Sequence, residues 1–272
     1  MGMSPRLLRP RASGFNPKSI AGLLGWYDAA DASTISTATG VSEWRDKSGG
    51  GYHLSQSTGN NQPASGTRTI GGKNAFDFDG TNDVLVMGGY SLDLAATKAF
   101  TLFSVMNSDS PNSVRRVVSL QRTGRNANDT GAYLGRHNQL TGALEVSIGG
   151  GDSTSNDQTD RNLIRYVAQN VSSASVYAMT VSSADNALTL HIDGASQTLV
   201  TRFGTMAASS FLAFGSGNHT LDIGAARTAS NVLASYWDGL VGEVLLYSRS
   251  LSASERSRVE RYLGGKWGIT VA

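Results

Sequence analysis

Carboxylates are the first residues of this sequence that could do chemistry. Hydrolysis of a glycosidic bond requires two of them around one bond, about 5–9.5 Å apart. The chain has 21 acidic residues, and only five are glutamates: Glu43, Glu145, Glu243, Glu255 and Glu260. Glu145 and Glu243 each stand alone in an apolar segment, so we interpret both as structural residues on the polar face of a strand. The sequence therefore predicts no catalytic residue and no enzyme activity.

Thiol and histidine chemistry is restricted as well. Because the chain has no cysteine, a disulfide scaffold, a thiol nucleophile, a cysteine-ligated zinc ion and an iron–sulfur cluster are excluded. Histidines lie at positions 53, 137, 191 and 219, and no two have a metal-binding spacing. His191 lies on the polar face of a patterned strand, where we expect it to be solvated. Neither a Gly-x-Ser-x-Gly elbow nor a P-loop motif occurs.

Oxygen-rich residues could hold calcium, which prefers carboxylate, amide and carbonyl oxygens. The densest group comprises Asp77, Asp79, Asn82 and Asp83, at a predicted strand and the turn after it. The alternative is that these side chains cap the turn through local backbone hydrogen bonds. We therefore predict no required metal or cofactor, with calcium as a candidate ligand of these four residues. A second, weaker group lies in the glycine-rich segment 149–162 and comprises Asp152, Asp157 and Asp160.

The formal net charge of +2 is unevenly distributed. Residues 1–18 contain no acid and four basic residues: Arg6, Arg9, Arg11 and Lys18. This segment carries +4, and the rest of the chain carries 19 − 21 = −2. Three of the five prolines lie in the segment and favour extended structure. We predict that residues 1–18 form an extended basic arm that binds an acidic partner surface; the alternative is a solvated tail. We do not expect the body to bind nucleic acid.

Aromatic residues could form a sugar-binding platform if they were exposed beside planar polar groups. The four tryptophans lie next to predicted strands or the predicted helix, so we expect them in a core: Trp26, Trp44, Trp237 and Trp267. The remaining candidates for sugar contact are Tyr52, Tyr90, Tyr133 and Tyr236.

The elements that must position these residues are predominantly β-strands. Residues 188–193 alternate apolar and polar side chains, so their apolar positions face a core. Residues 193–194 (Asp-Gly) predict a hairpin turn into a second short strand through Leu199 and Val200. Many short strands separated by Gly, Asn, Asp and Ser favour an antiparallel sandwich. Further strands are expected at residues 75–78, 84–87, 100–106, 117–121, 144–148, 177–181, 211–214, 221–223 and 242–247.

One helix is expected near the C-terminus. Residues 252–255 (Ser-Ala-Ser-Glu) form a capping box. Val259, Tyr262 and Leu263 follow at helical spacing and would pack on the sandwich. Residues 264–265 (Gly-Gly) are expected to end the helix, because glycine adopts the left-handed C-terminal cap without strain.

The composition agrees with a single domain over residues 19–272. The 32 glycines and the low charged content of 16% suit short strands joined by tight turns. The 39% hydrophobic content and 21 aromatic residues can build a core, which argues against disorder. No secretory signal is visible, and no apolar run approaches the roughly 18 residues that span a bilayer. We therefore expect no membrane association.

Four segments resemble landmarks of concanavalin A-like (laminin G-like) jelly-roll domains. Residues 44–49 (WRDKSG) resemble a W-x-D-x-S-G segment near the start of such domains, and residues 75–83 resemble an F-D-G-x-x-D strand and turn. Residues 190–194 resemble the central hairpin, and residues 242–252 lead through an R-x-L-S turn into the helix, as the last strand of the family does. The resemblance covers roughly residues 20–270. It implies an all-β fold, an antiparallel β-sandwich (jelly roll) with one short C-terminal helix.

The resemblance leaves the function open, because the fold hosts lectins, glycosidases, adhesion modules and virion proteins. Glycosidases of the family place their carboxylates in an E-x-D-x-x-E pattern, which this sequence lacks. Residues 9–23 and 26–31 are also similar to tailed-phage structural proteins that carry this domain.

We therefore expect a non-enzymatic virion structural protein, either a capsid decoration or a tail or fibre component. It would attach to other virion proteins through its N-terminal arm and form a homo-oligomer. The missing export signal fits this expectation, because virus particles leave the cell by lysis. The alternative is a lectin or adhesion module that binds surface glycans at an extracellular or cell-surface location. A divergent glycosidase is a third hypothesis.

Overall fold

Alternating apolar and polar residues form β-strands through most of this computed structural model. It describes residues 14–88, 92, 94, 99–110, 114–122, 131–136, 143–148, 163–168, 172–182, 184–185, 187–203, 219–227 and 232–272. The strands in these ranges are β1 (Leu23–Asp28), β2 (Ile35–Thr37), β3 (Val41–Trp44), β4 (Leu54–Ser55), β5 (Ala64–Ile70), β6 (Lys73–Asp79), β7 (Leu85–Met87), β8 (Ala99–Met106), β9 (Arg115–Arg122), β10 (Gly131–Arg136), β11 (Ala143–Ile148), β12 (Leu163–Ala168), β13 (Ser175–Ser182), β14 (Ala187–Ile192), β15 (Ala195–Ser196), β16 (Val200–Phe203), β17 (His219–Ile223), β18 (Ala226–Arg227), β19 (Leu233–Ala234) and β20 (Asp238–Tyr247). The helix α1 spans Ala253–Trp267, and short 3-10 helices span Pro17–Ser19, Ala32–Thr34 and Gly59–Asn61.

Two antiparallel sheets account for most of these strands. Within the described residues, the first sheet has eight strands in the order β15-β14-β13-β8-β20-β6-β5, with β1 also paired to β20. The second has ten strands in the order β16-β12-β11-β10-β9-β17-β7-β4-β3-β2. Strands β18 and β19 form a separate two-stranded ribbon. The predicted all-β, antiparallel β-sandwich with a C-terminal helix is confirmed, whereas the predicted extent of the single domain stays a prediction.

The inner faces of the two sheets share one apolar core. Trp44 on β3 contacts Phe76 on β6 with ring centroids 4.5 Å apart, so this pair joins the two sheets directly. Trp237 is fully buried in the same core. Trp26 and Trp267 are buried in a second cluster, so the expectation that the tryptophans are core residues is confirmed.

The second apolar cluster lies between the eight-stranded sheet and α1. Val259, Leu263 and Trp267 of the helix pack there against Phe103 and Leu245 of the sheet. The sandwich therefore has a third layer on one side. In the described residues, no helix is long and apolar enough to cross a bilayer.

This third layer corrects the expectation for His191. Its side chain lies on the outer face of β14, as the alternation predicts, but it is buried rather than solvated. The alternation identifies the face of the strand and cannot show that another element covers that face. Burial, with Arg256 of α1 nearby, lowers the pKa of His191 to about 4.

The capping box of α1 is confirmed, but the predicted end of the helix is wrong. Glu255 N donates to the Ser252 hydroxyl, and Ser252 N donates to the Glu255 carboxylate. The helix continues through Gly264 to Trp267, and Gly268 caps it with φ +70°. Gly264 serves packing instead, because a Cβ there would meet Val271 at 2.5 Å and the Ile269 carbonyl oxygen at 2.7 Å.

The predicted hairpin turn is confirmed, with a different second strand. Asp193 and Gly194 have φ +50° and +81°, as such a turn requires. The returning strand is β15, in which Ala195 pairs with Ile192. Val200 instead begins β16, which pairs with β12 in the other sheet.

The other predicted strands mostly match observed strands with longer bounds. Predicted strand 242–247 is the end of the ten-residue β20, and predicted strand 84–87 corresponds to β7, which starts one residue later. The predicted strand at 211–214 lies outside the described residues. The alternating pattern predicts that a strand is present. Where the strand begins and ends depends on its pairing with segments that are distant in the sequence.

Candidate binding face

The two sheets differ in what lies against their outer faces. Helix α1 covers the outer face of the eight-stranded sheet. On the ten-stranded sheet, strand register places one line of residues across the outer face. That line runs through Glu43, Ser55, Val86, Asp222, Ser119, Tyr133 and Ser147. We call this outer face the binding face, because it combines an open groove with a buried polar cluster.

A shallow groove of about 360 Å³ opens on the side of the binding face formed by β3, β4 and β7. Its described lining is small or polar: Ala38, Ser42, Ser55, Gln56, Ser57, Gln62 and Val86. This lining contains no carboxylate, no cation and no aromatic ring among the described residues. The groove can therefore hold a neutral polar ligand through hydroxyl and amide groups rather than through charge.

Two glutamine side chains fix the shape of the groove. Gln62 Oε1 accepts from Gly40 N at 2.9 Å, and Gln62 Nε2 donates to Gln56 O at 2.8 Å. Gln56 Nε2 donates to Val84 O at 3.1 Å, and Thr58 N donates to Gln56 Oε1 at 3.0 Å. Because the oxygen and the nitrogen of both side-chain amides are bonded to backbone, the walls are held before any ligand arrives.

Two serine hydroxyls remain available to a ligand. Ser55 at the end of β4 and Ser57 just beyond it are exposed, and neither side chain bonds to any described residue. Ser42 donates to Ser36 O at 3.1 Å and is therefore occupied. Free hydroxyls on fixed walls can donate to and accept from a polyol.

Next to the groove, Asp222 on β17 is fully buried opposite Val86. Gln121 Nε2 donates to Asp222 Oδ2 at 2.7 Å, and Arg227 Nε donates to the same oxygen at 2.9 Å. Burial raises the pKa of Asp222, while the Arg227 contact and the Gln121 bond act in the opposite direction. The carboxylate thereby holds Arg227, and with it the β18–β19 ribbon, at the binding face.

Glu145 on β11 forms a second buried group on the same face. Arg116 Nη2 donates to Glu145 Oε1 at 3.1 Å, and the Tyr133 hydroxyl donates to the same oxygen. The Arg116 guanidinium lies 3.8 Å from the centre of the Tyr133 ring. Burial raises the pKa of Tyr133 well above its usual value. Glu145 is therefore buried and ion-paired, and its interpretation as a structural residue stays a prediction.

Tyr133 and the other tyrosine candidates do not form an open sugar platform. The Tyr133 ring is buried and packs against Ala226. Tyr52 packs partly against the central core, and the Tyr236 hydroxyl donates to Leu233 O at 3.2 Å. Tyr90 lies outside the described residues.

Glu243 lies away from the binding face, under α1. It is fully buried, which corrects the expectation of a polar strand face. Trp26 Nε1 and Trp267 Nε1 each donate to its carboxylate at 2.7 Å, the Tyr262 hydroxyl donates at 2.9 Å and Lys266 Nζ lies at 2.7 Å. Burial raises the pKa of Glu243, while Lys266 acts to lower it.

The four calcium candidates lie at or next to the β6 turn, where the three aspartate side chains contact other residues and Asn82 Oδ1 is buried without a hydrogen-bond partner in the described part of the chain. Asp77 pairs with Arg68 at 2.9 Å, and Asp79 Oδ1 accepts from Thr81 N and from Asn82 N. Asp83 Oδ2 accepts from Asp79 N at 3.0 Å. Burial raises the pKa of Asp83 to about 6. No metal-binding group of three acids or histidines occurs among the described residues, and calcium at this turn stays a prediction.

The predicted basic arm is described only in part. Arg6, Arg9 and Arg11 lie outside the described residues, as do His137 and the acids of segment 149–162. Lys18 is exposed in the 3-10 helix Pro17–Ser19. Residues 14–18 lie against the body, since Pro17 is buried and Pro17 O accepts from the Tyr247 hydroxyl at 3.2 Å.

The groove residues were missed by sequence reasoning. Ser55, Ser57, Gln56 and Gln62 belong to no motif, and serine and glutamine are common in turns. One usable signal was the outward position of Ser55 beside the buried Leu54, which the alternation of β4 implies. Which strand lies beside β4, and hence which residues share the groove, depends on long-range pairing.

Comparisons with known proteins bear on the fold. No family model matches the chain, and no curated protein matches it. The structure of Trypanosoma rangeli sialidase in complex with sialic acid is similar with a TM-score of 0.55 and 16% identity, over 92% of this chain and 34% of the sialidase. The binding domain of Botulinum neurotoxin DC in complex with rat synaptotagmin II is similar with a TM-score of 0.54 and 10% identity, over 89% of this chain and 52% of that chain.

At these identities, the similarity shows the fold alone. The chain spans about a third of the sialidase chain and about half of the toxin chain. The comparisons therefore place the chain among β-sandwich folds. Evidence for a function comes from the binding face.

Proposed function

We propose that this protein is a glycan-binding module with a concanavalin A-like (laminin G-like) β-sandwich, which binds sugar in the groove of the binding face. The observation that carries the proposal is the groove itself. Its walls are held by glutamine amides whose oxygen and nitrogen atoms each bond to backbone, and it presents the free hydroxyls of Ser55 and Ser57.

The chemistry of the groove suits a sugar. Its volume of about 360 Å³ falls within the roughly 300–1,000 Å³ typical of small-molecule sites. A sugar hydroxyl can donate and accept hydrogen bonds, so neutral hydroxyls and backbone groups are matched partners. The apolar side chain of Val86 offers a contact for the C–H face of a ring. Because the described lining is uncharged, a neutral sugar is favoured.

The structural neighbours support a binding role. One was solved with sialic acid and the other is a toxin's binding domain solved with a protein receptor. An extracellular or cell-surface location goes with glycan recognition, and we propose it for this chain.

Binding without hydrolysis follows from the acids of the binding face. Asp222 and Glu145 are buried and each is engaged by an arginine, and Glu43, at the edge of the face, pairs with Arg45. None of the three is among the described residues that line the groove. Hydrolysis needs two carboxylates that reach the same glycosidic bond, so we propose a non-enzymatic module over a divergent glycosidase.

The virion role stays a prediction that rests on the basic composition of residues 1–18 and on the looser resemblance to phage proteins. Homo-oligomer formation and attachment to virion proteins stay predictions as well. A glycan-binding module is compatible with that location, because particles also attach to surfaces. Deletion of residues 1–18 followed by a particle-incorporation assay tests the attachment separately from sugar binding.

A glycan array probed with the labelled full-length protein tests the proposal. We expect hits among neutral glycans. Repeating the array in calcium and in chelator tests the calcium prediction, since hits that disappear in chelator would show that glycan binding depends on calcium. An array without hits in either condition would contradict the proposal.

A pair of substitutions shows whether hits depend on the groove. Ser55→Trp fills the groove, so we expect it to weaken the best hit by about tenfold or more, as expected for the loss of a few hydrogen bonds and contacts. Thr69→Trp is the matched control, because Thr69 is also exposed on a strand, but in the eight-stranded sheet. Equal loss of binding in both variants would argue against the groove.

A further inference from the structure

A second surface lies on the opposite side of the molecule, on α1. Phe15 packs against Tyr262 with ring centroids 5.6 Å apart, and the Arg258 guanidinium lies 5.1 Å from the Phe15 ring centre. These three residues and Arg261 line an open depression of about 420 Å³. We call this surface the helix patch.

The cations of the helix patch differ from the other cations around α1. Arg249 pairs with Glu255 at 2.6 Å, and Lys266 lies between Asp28 and Glu243. In the described part of the chain, Arg258 and Arg261 form no ion pair.

The two patch arginines instead make neutral contacts. Arg258 contacts the Phe15 ring, and Arg261 Nη1 donates to Ser257 Oγ at 2.9 Å. Both are exposed. A guanidinium with free donors can bind a carboxylate through two parallel hydrogen bonds. The helix patch therefore offers two such donors beside an aromatic wall.

The basic N-terminal segment is joined to this patch. Phe15 follows residues 1–13, which contain Arg6, Arg9 and Arg11 and no acid. Lys18, on the other side of Phe15, is exposed in the described structure. Lys18 is thus the described cation of the segment and lies three residues from Phe15 along the chain, whereas residues 19–272 carry a net charge of −2.

We infer that the helix patch is a docking surface for an acidic peptide segment of a partner protein, distinct from the glycan groove. Carboxylates of that segment pair with Arg258 and Arg261, and an apolar side chain enters the depression against Phe15 and Tyr262. Aromatic and arginine side chains are enriched at protein interfaces. A nucleic acid is disfavoured as the partner. Its phosphate backbone binds to an extended row of cations, whereas this patch is short and lies on a body with a negative net charge.

Binding of defined probes by the full-length protein tests the inference. The probe is a fluorescein-labelled ten-residue peptide with six Asp or Glu residues flanking a Leu-Phe pair, and fluorescence polarisation reports binding at low salt. A peptide of the same pattern with Lys in place of the acids, and a labelled twelve-nucleotide oligothymidine, are the comparison probes. We expect only the acidic peptide to bind, and its affinity to fall as salt rises.

Two variants with the same change in net charge locate the site. Arg258→Ala/Arg261→Ala removes two charges from the helix patch, and we expect at least about tenfold weaker binding of the acidic peptide. Lys73→Glu changes the charge equally at an exposed position of the β5–β6 hairpin, and we expect an effect below about twofold. Both variants alter exposed side chains, so unfolding midpoints near that of the wild type confirm that each is folded.

Three outcomes would overturn the inference. These are no acidic-peptide binding by the wild type, an equal effect of both variants, and preferential binding of the oligonucleotide. None of them bears on the glycan array, since the groove lies on the other sheet.

Discussion

At the scale of single residues, Glu243 has the most demanding environment described. Its carboxylate is fully buried and is contacted by two indole N–H groups, a tyrosine hydroxyl and the ammonium group of Lys266. Lys266 also pairs with Asp28 at 2.6 Å. Burying charges is costly, and removing one partner leaves the others unpaired in a region of low polarity. The residue therefore stabilises the contact between β20 and α1 only as part of the complete network.

Glu243→Ala is expected to lower the free energy of unfolding by about 3–5 kcal/mol, because it leaves the two indole N–H groups without their acceptor and Lys266 with Asp28 as its remaining partner. Chemical denaturation measures this value. Glu43→Ala is the matched control, since Glu43 is partly exposed in a surface pair with Arg45 and should cost no more than about 1 kcal/mol. Equal losses in the two variants would contradict the structural role of Glu243.

His191 predicts how stability depends on pH. Its pKa is lowered to about 4 in the folded protein, whereas an unperturbed histidine titrates near pH ~6.5. Below that value the unfolded chain binds a proton that the folded chain does not, so stability falls as pH decreases from about 6.5 towards about 4. At pH 5 this single residue should cost about 2 kcal/mol relative to neutral pH.

A comparison of the wild type with His191→Asn separates the contribution of His191 from that of the carboxyl groups that titrate in the same pH range. We expect the loss of unfolding free energy between pH 7.5 and pH 5 to be smaller in the variant by about 2 kcal/mol. Identical pH dependence in the two proteins would show that His191 is not buried in its neutral form.

At the scale of elements, local signals in the sequence correctly indicated strands and the start of α1. Capping by Ser252 and alternation in β14 depend only on neighbouring residues, so they could be predicted. The end of α1 could not be predicted in this way. Gly264 is required because Val271 packs closely against it, and it does not form the left-handed cap that ends the helix. The strand that follows the Asp193–Gly194 turn was also predicted at the wrong residues. It is β15, which has two residues and is too short to show an alternating pattern.

Ser252→Ala tests the contribution of the capping box to α1. The change removes the acceptor for Glu255 N, and an N-cap of this kind contributes about 1 kcal/mol to stability. Thermal or chemical unfolding measures the loss. Ser254→Ala, within the first turn and exposed, should change the unfolding free energy by less than about 0.5 kcal/mol. A cost as large for Ser254 as for Ser252 would contradict the capping role.

At the scale of the whole molecule, the outer faces of the two sheets differ in what covers them. The eight-stranded sheet is closed on its outer side by α1, and the basic helix patch lies on that layer. The ten-stranded sheet carries the neutral groove and the buried Asp222 and Glu145. The sequence indicated the sandwich and the charge asymmetry. It could not indicate the groove, because β3, β4 and β7 are joined through pairing of residues up to about 30 positions apart.

The location of a bound sugar tests the central claim most directly. Amide chemical shifts of the isotope-labelled protein, recorded while the best array hit is added, report every backbone position near the ligand. We predict that the largest changes occur at Ser55, Gln56, Ser57 and Val86 and that they disappear in Ser55→Trp but not in Thr69→Trp. Changes centred on α1 or on the eight-stranded sheet, or a set that persists in Ser55→Trp, would contradict the proposal that sugar binds in the groove.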